Sequence, residues 1–138
     1  MKNAKTKLPI KWLAPEVLRE KKFTTMSDVW AYGVLVWEVF TRGCLPYGML
    51  SDWTGKFFLT YNINSRINKN FSGLMNHLDA GNRLDKPDHC DDELYEVLMR
   101  CWMMDRKKRP KFLELTEFFA KHYNRLGQGV SLSQLFFE

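Results

Sequence analysis

Asp-Val-Trp-Ala-Tyr-Gly-Val-Leu-Val-Trp-Glu-Val-Phe, residues Asp28–Phe40, decides the fold, because a helix wound from it is apolar on nearly every side. Such a helix either spans a membrane or lies at the centre of a domain, and a membrane span needs about 20 apolar residues. This stretch is too short and carries Asp28 and Glu38. The sequence therefore predicts a buried central helix, capped by the hydroxyl-rich run Thr24–Ser27 and stopping at Gly43.

Further helical patterns lie on both sides of the central one. Pro15 suits the first position of a short helix, where its missing N–H would be unpaired anyway. The run Asp91–Trp102 has an acidic start and one apolar face, and Phe112–Gly127 marks a last amphipathic helix. No strand pattern is of comparable quality. The prediction is a mainly α unit over residues 1–127, followed by a tail over residues 128–138 with the apolar end Leu135–Phe137.

Composition excludes several classes of function. A chain of 138 residues with 45% hydrophobic side chains fits one packed domain. The net charge is +5. The basic residues occur in short clusters, which are typical of solvated surfaces, at Lys2–Lys7, Arg19–Lys22 and Arg106–Lys111. No aromatic stacking motif accompanies them, so nucleic acid is not expected as a partner.

The cysteines and histidines indicate no metal or redox site. Cys44, Cys90 and Cys101 are odd in number and lack C-x-x-C spacing, which favours reduced thiols and a cytoplasmic location. His89 and His122 have no ligand or nucleophile at useful spacing, so both are expected on the surface. No secretory signal peptide or membrane segment is expected in this chain.

Three segments together resemble a known family: Leu8–Glu16 (Leu-Pro-Ile-Lys-Trp-Leu-Ala-Pro-Glu), Ser27–Glu38, and Cys101–Pro110, with Cys-Trp at its start and Arg-Pro at its end. Their order and spacing resemble the protein tyrosine kinase family, and Pro-Ile-Lys-Trp before Ala-Pro-Glu is typical of its tyrosine branch. Gly81–Pro87 is similar to receptor-type members. The resemblance covers Leu8 to about Leu126 and implies the C-terminal helical lobe of the protein-kinase fold, truncated.

The resemblance implies roles for seven residues. Glu16 matches the glutamate of Ala-Pro-Glu, and the arginine with which it pairs in the family falls on Arg109; two unrelated surface charges are the alternative. Asp28 matches the aspartate that anchors the catalytic-loop backbone at the start of the central helix. Pro9, Ile10, Lys11 and Trp12 match the platform on which a tyrosine-containing peptide lies, although a purely structural role for Trp12 is equally open.

The residues that perform phosphoryl transfer in the family all lie upstream of Leu8. Two decoys fail on placement: Asn82 follows Asp79 by three residues where a catalytic loop needs five, and Asp79–Gly81 is not the metal-binding motif. The glycines nowhere form the nucleotide-binding pattern. No catalytic residue, metal site or cofactor site is therefore expected in this chain, and ATP and Mg²⁺ belong to the parent domain.

The segment Gly55–Ser72 does not fit the family pattern. The interval between Tyr47 and Gly81 is more than twice the family length, and Gly55–Ser72 contains no Asp, Glu, Ala, Val or Pro. Its composition and its ends resemble translated A/T-rich DNA with splice sites, which makes a retained intron our hypothesis and a natural insert loop its rival. In either case we expect it to be extruded from the core as a loop or an irregular helix extension.

Three functional interpretations remain open. The chain is a fragment of a tyrosine kinase that phosphorylates protein tyrosines, inactive alone; or a kinase-like binding module; or a gene-model fragment without a function of its own. The expected partners are the parent's N-terminal kinase lobe and protein or peptide substrates. A receptor parent would place this part on the cytoplasmic side of the membrane.

Overall fold

The computed structural model describes residues 6–48, 59–61 and 72–127. In these ranges the helices are α1 (Pro15–Glu20), α2 (Thr25–Phe40), α3 (Ser72–Asp79), α4 (Asp92–Cys101) and α5 (Phe112–Gly127), with 3-10 turns at Ile10–Trp12 and Arg106–Lys108. Two three-residue strands, β1 (Thr6–Leu8) and β2 (Leu59–Tyr61), make up the sheet of this part of the chain. The prediction of a mainly α fold is confirmed.

Helix α2 begins within the predicted capping run, three residues before the predicted apolar stretch. Thr24 is its N-cap and forms a capping box with Ser27: the Ser27 N–H donates to Thr24 Oγ1 at 3.2 Å and the Thr24 N–H donates to Ser27 Oγ at 2.8 Å. The helix ends at Phe40, and the chain then turns through Gly43, whose φ of 88° suits a residue without a side chain. Capping therefore fixes both ends of the central helix.

Burial around α2 is one-sided. Val29, Trp30 and Val34 are completely buried, whereas Leu35 is 51% and Val39 66% exposed. Asp28 is also exposed. These three exposed residues are spaced by seven and four positions, which places them on one face of the helix. The central-helix prediction thus holds for one side of α2, and the other side is an open face, defined by Asp28, Leu35 and Val39.

The buried side of α2 packs closely on the end of α4 through Gly33. A Cβ atom at this position would lie 2.7 Å from Trp102 Nε1 and 2.9 Å from Cys101 Cβ. Trp102 is 1% exposed, and its indole N–H has no acceptor among the described residues. Gly33 is therefore required because the two chain segments touch, although glycine is a poor helix former.

The loop between α3 and α4 is hydrogen-bonded to the helices around it. Gly81 turns the chain with a φ of 87°, and the Arg83 guanidinium donates to the carbonyls of Leu78 and Trp102 at 3.0 and 2.8 Å. The Trp37 indole donates to the Asp85 carbonyl at 2.7 Å, tying the loop to α2. These bonds tie the loop to the ends of α3 and α4 and to α2.

The two histidines behave differently from each other. His89 is exposed, as expected, but the surface expectation for His122 is wrong, because His122 is 8% exposed. Its Nε2 lies 3.1 Å from Asp91 Oδ2, and its ring stacks on Phe118. His122 follows the buried Leu115 by seven residues, so the helical repeat carries it to the inward face of α5.

The centre of the insert pairs with the start of the chain. β2 runs antiparallel to β1 with Thr6 opposite Tyr61, Lys7 opposite Thr60 and Leu8 opposite Leu59. At these three residues a strand replaces the expected loop or helix extension. Residues 55–58 and 62–71 lie outside the described ranges, as does Trp53, whereas Leu74 just beyond the insert is 3% exposed.

We expect Gly33→Ala to destabilise the fold by about 1–3 kcal/mol, because the new methyl overlaps Trp102 and Cys101. Helix propensity alone predicts the opposite sign, a gain of about 1 kcal/mol. Urea unfolding measures the difference, with Val39→Ala on the open face of the same helix as the control. A Gly33→Ala protein as stable as the parent chain would contradict the close contact.

We expect a chain lacking Gly55–Ser72 to fold cooperatively with equal or higher thermal stability. A pairing of three residues contributes little, because isolated two-stranded sheets are marginal in water. The matched control is Leu74→Ala, for which we expect a loss of about 2–5 kcal/mol. Loss of the cooperative melting transition on deletion would show that the insert is part of the domain. A transcript that joins Thr54 directly to Gly73 would establish the intron hypothesis.

Candidate functional site

A buried ion pair joins α1 to the turn that precedes α5. Arg109 Nη1 donates to Glu16 Oε1 at 2.6 Å, and Arg109 Nη2 donates to Glu16 Oε2 at 2.8 Å. The Arg109 side chain is completely buried and that of Glu16 is 11% exposed. The planar guanidinium and the carboxylate are matched in a bidentate geometry, which is the strong form of this interaction. The structure therefore brings together the two residues that the family resemblance paired.

The Arg109 guanidinium makes two further hydrogen bonds, which gives four in all with described residues. Its Nε donates to the Met103 carbonyl at 2.8 Å, and Nη1 additionally donates to the Met26 carbonyl at 2.9 Å. Its guanidinium lies 5.1 Å from the centroid of the Trp30 ring. A charge this deep is tolerable only when its hydrogen-bonding capacity is used. Arg109 thus connects α1, α2 and the turn before α5 at a single point.

The charge state of Glu16 follows from two opposing effects. Burial favours the neutral acid, but the hydrogen bonds from Arg109 and the charges of Arg109 and Arg106 outweigh it and hold the pKa of Glu16 below its usual range. A depressed folded-state pKa contributes stability above the unfolded pKa, and this contribution is lost as the pH falls through the folded value. The pair is therefore intact at neutral pH and is weakened only by acid.

The predicted platform is a 3-10 turn whose side chains mostly face the protein. Ile10 and Lys11 are 2% and 3% exposed, Trp12 is half-buried, and Pro9 is exposed. Lys11 Nζ donates to the Gly48 carbonyl at 3.1 Å, and burial lowers the pKa of its ammonium. The Trp12 indole donates to Glu38 Oε2 at 3.1 Å. The turn is thus bound to α2 and to the loop that follows it.

Sequence reasoning missed two partners of these residues. Glu38 accepts a hydrogen bond from Trp12, and the sequence feature that could have indicated this role is a carboxylate within an otherwise apolar helix. Gly48 holds Lys11 through a backbone carbonyl, which no side-chain pattern reveals. Asp28, the predicted anchor, lies apart from the ion pair in the first turn of α2, where it is exposed. An acidic residue there also suits the positive end of the helix dipole.

In ranges 6–48, 59–61 and 72–127 no group of three or more His, Cys, Asp or Glu side chains is arranged to hold a metal ion. No helix in those ranges is both long enough and apolar enough to cross a membrane. All three cysteines of the chain are free.

Comparison with known proteins agrees with this geometry. Residues 1–119 match the family model for protein tyrosine and serine/threonine kinase. Human platelet-derived growth factor receptor alpha is 40% identical over 113 residues, which is 81% of this chain and 9% of the receptor. The same receptor of Takifugu rubripes is 36% identical over 130 residues, 88% of this chain and 10% of that protein.

A second receptor is also similar to this chain. Tyrosine-protein kinase receptor TYRO3 of Xenopus tropicalis is 39% identical over 121 residues, 88% of this chain and 12% of that protein. The chain therefore spans about a tenth of the length of these curated relatives. The family match over residues 1–119 includes the Ala-Pro-Glu segment. We conclude that the chain belongs to the protein tyrosine and serine/threonine kinase family and is a receptor-type tyrosine kinase fragment.

Proposed function

We propose that this chain is the C-terminal lobe of a kinase domain whose parent transfers phosphate from ATP to protein tyrosines, and that alone it is catalytically inactive. The buried Glu16–Arg109 pair carries the proposal, because it fastens the segment containing Pro9–Trp12 to the helices behind it. Phosphoryl transfer depends mainly on positioning the reactants and on stabilising charge electrostatically. The turn Pro9–Trp12, held in place by the ion pair, serves the first of these needs, the positioning of a substrate.

The proposed substrate surface is the backbone of Pro9–Trp12, with Pro9 exposed on it. Lys11 and Trp12 are engaged on the protein side by Gly48 and Glu38, so the turn is held from behind. A protein or peptide segment that lies across it then meets a surface that is already ordered and loses less conformational freedom on binding. These two side chains position the platform and do not take part in the chemistry.

The proposed place for the rest of the parent domain is the open face of α2. Leu35 and Val39 leave apolar surface exposed there, and Asp28 stands at its N-terminal end. The catalytic-loop segment of the parent would cover the apolar pair, while Asp28 would accept hydrogen bonds from its backbone. ATP and Mg²⁺ would be bound by that upstream part, on the cytoplasmic side of a receptor.

The main alternative is a kinase-like binding module that docks partners without catalysis. The same exposed face of α2 favours it, since an uncovered apolar pair is suited to a protein partner. The two proposals differ in one measurable respect, because only the first predicts phosphoryl transfer when an upstream kinase lobe is joined to the chain.

We expect the purified chain to show no ATP-dependent tyrosine phosphorylation and no tight binding of Mg²⁺-ATP. Its sequence contains neither the glycine-rich loop nor the catalytic-loop pattern of the family. A radiometric assay on a tyrosine peptide and calorimetric titration with Mg²⁺-ATP measure the two quantities, with a complete tyrosine kinase domain as the positive control. An ATP affinity in the micromolar range would refute the proposed inactivity.

We expect Glu16→Gln and Arg109→Met each to lower the free energy of unfolding by about 3–5 kcal/mol, because each leaves a buried charge without its partner. The matched control is Glu114→Gln in the exposed Arg100–Glu114 pair, where the N–O distance is 3.9 Å and we expect about 0–1 kcal/mol. The double variant should lose less than the sum of the two single losses. Single losses as small as that of the control would show that the Glu16–Arg109 pair does not stabilise the fold as proposed.

A further inference from the structure

A cavity of about 300 Å³ lies at the C-terminal end of α2, away from the ion pair and the platform. Trp37, Phe40 and Pro87 give it apolar walls, and Arg42 and Cys44 stand at its rim with the loop Asp85–His89. The size is at the lower end for cavities that hold small organic groups, about 300–1,000 Å³. It suits one or two side chains and is too small for a folded element.

The cavity walls are held in place by the fold. The Trp37 indole bonds to the Asp85 carbonyl at 2.7 Å, so the loop and the helix cannot separate without losing this contact. The Gly43 N–H donates to the Glu38 carbonyl at 2.8 Å and closes the end of α2. The binding surface is thus formed before a ligand arrives, which lowers the cost of docking.

We propose that the apolar end of this chain's own tail, Leu135–Phe137, docks in this cavity. An aromatic side chain is the natural occupant of a space between Trp37, Phe40 and Pro87, because aromatic rings gain both burial and edge-to-face contacts. The tail offers two adjacent phenylalanines beside a leucine. The proposal thereby assigns a role to a motif that neither the kinase platform nor the ion pair uses.

The tail starts close enough to reach the cavity. His122 of α5 lies 3.1 Å from Asp91, and Asp91 follows the rim residue His89 by two residues, about 7 Å of chain. Helix α5 continues for five residues beyond His122, about 7.5 Å, to Gly127. The eight residues from Gln128 to Leu135 then span up to about 26 Å when extended.

Charges of both signs line the cavity, including the Asp85 and Asp88 carboxylates, so charge bears on the orientation of the tail and not on its selection as occupant. Glu138 follows Phe137 directly, and Arg42 is an exposed cation at the cavity rim that makes no ion pair with a described residue. An aromatic side chain in the cavity would leave the Glu138 carboxylate near this guanidinium. The pair would be solvent-exposed, so it orients the tail and contributes little to affinity.

Cys44 provides the test, because its exposed thiol lies at the rim and a docked tail would cover it. We expect iodoacetamide to alkylate Cys44 about tenfold faster in the Phe136→Ala, Phe137→Ala chain than in the unmodified chain, the factor that 1.4 kcal/mol of docking free energy produces. Mass spectrometry of the Cys44 peptide measures the rate. Burial raises the pKa of Cys101 to about 12 and also raises that of Cys90, so both thiols serve as unreactive references.

The control is the Ser131→Ala, Ser133→Ala chain, which changes the same tail without its apolar end and should alkylate at the slow rate. Circular dichroism verifies that all chains are folded, which the tail substitutions should leave unchanged. Equal Cys44 rates in the unmodified and phenylalanine-substituted chains would overturn the proposal. So would protection that disappears on dilution, because it would place the tail of a second molecule in the cavity.

Discussion

The structure depends on one buried pair of opposite charges. Glu16 and Arg109 are separated by 93 positions, and both are removed from water. Burying two charges costs desolvation free energy, which their attraction offsets only when the geometry is good. Here both carboxylate oxygens accept hydrogen bonds, and the guanidinium makes four. The Met26 and Met103 carbonyls complete the set. The turn before α5 and the helix after the platform therefore cannot move independently.

Helix α2 connects this ion pair to the rest of the fold. Its N-terminal turn supplies the Met26 carbonyl, its middle supplies Trp30 beneath the guanidinium, and its C-terminal half supplies Glu38 to hold Trp12. Trp30 lies between two cations, since Arg83 is also 5.3 Å from its ring centroid. Helix α2 thus positions both the Glu16–Arg109 pair and the platform, which explains why this otherwise apolar helix carries a polar residue such as Glu38.

Much of this arrangement could be predicted from the sequence, because it depends on local signals. The capping run before α2, the proline at the start of α1 and the acidic start of α4 fix those helix ends. The pairing of Glu16 with Arg109 is not such a local signal, because 93 positions separate the two residues, and it came from the resemblance to the kinase family. The burial of His122 was not predicted, because the lack of a ligand or nucleophile at useful spacing says nothing about which face of α5 the residue occupies. The open face of α2 was not predicted, because an apolar sequence does not reveal which faces of a helix have partners. The contact of Lys11 with a backbone carbonyl leaves no trace in side-chain patterns.

The close approach of α2 to the end of α4 restricts which substitutions position 33 can accept during evolution. A side chain at position 33 and the full indole at position 102 cannot occupy the same space, so each limits what the other can become. A smaller side chain at position 102 does not by itself release this limit, because Cys101 Cβ would still lie 2.9 Å from a Cβ atom at position 33. Among homologues of this lobe, position 33 should therefore stay glycine even where position 102 is no longer tryptophan.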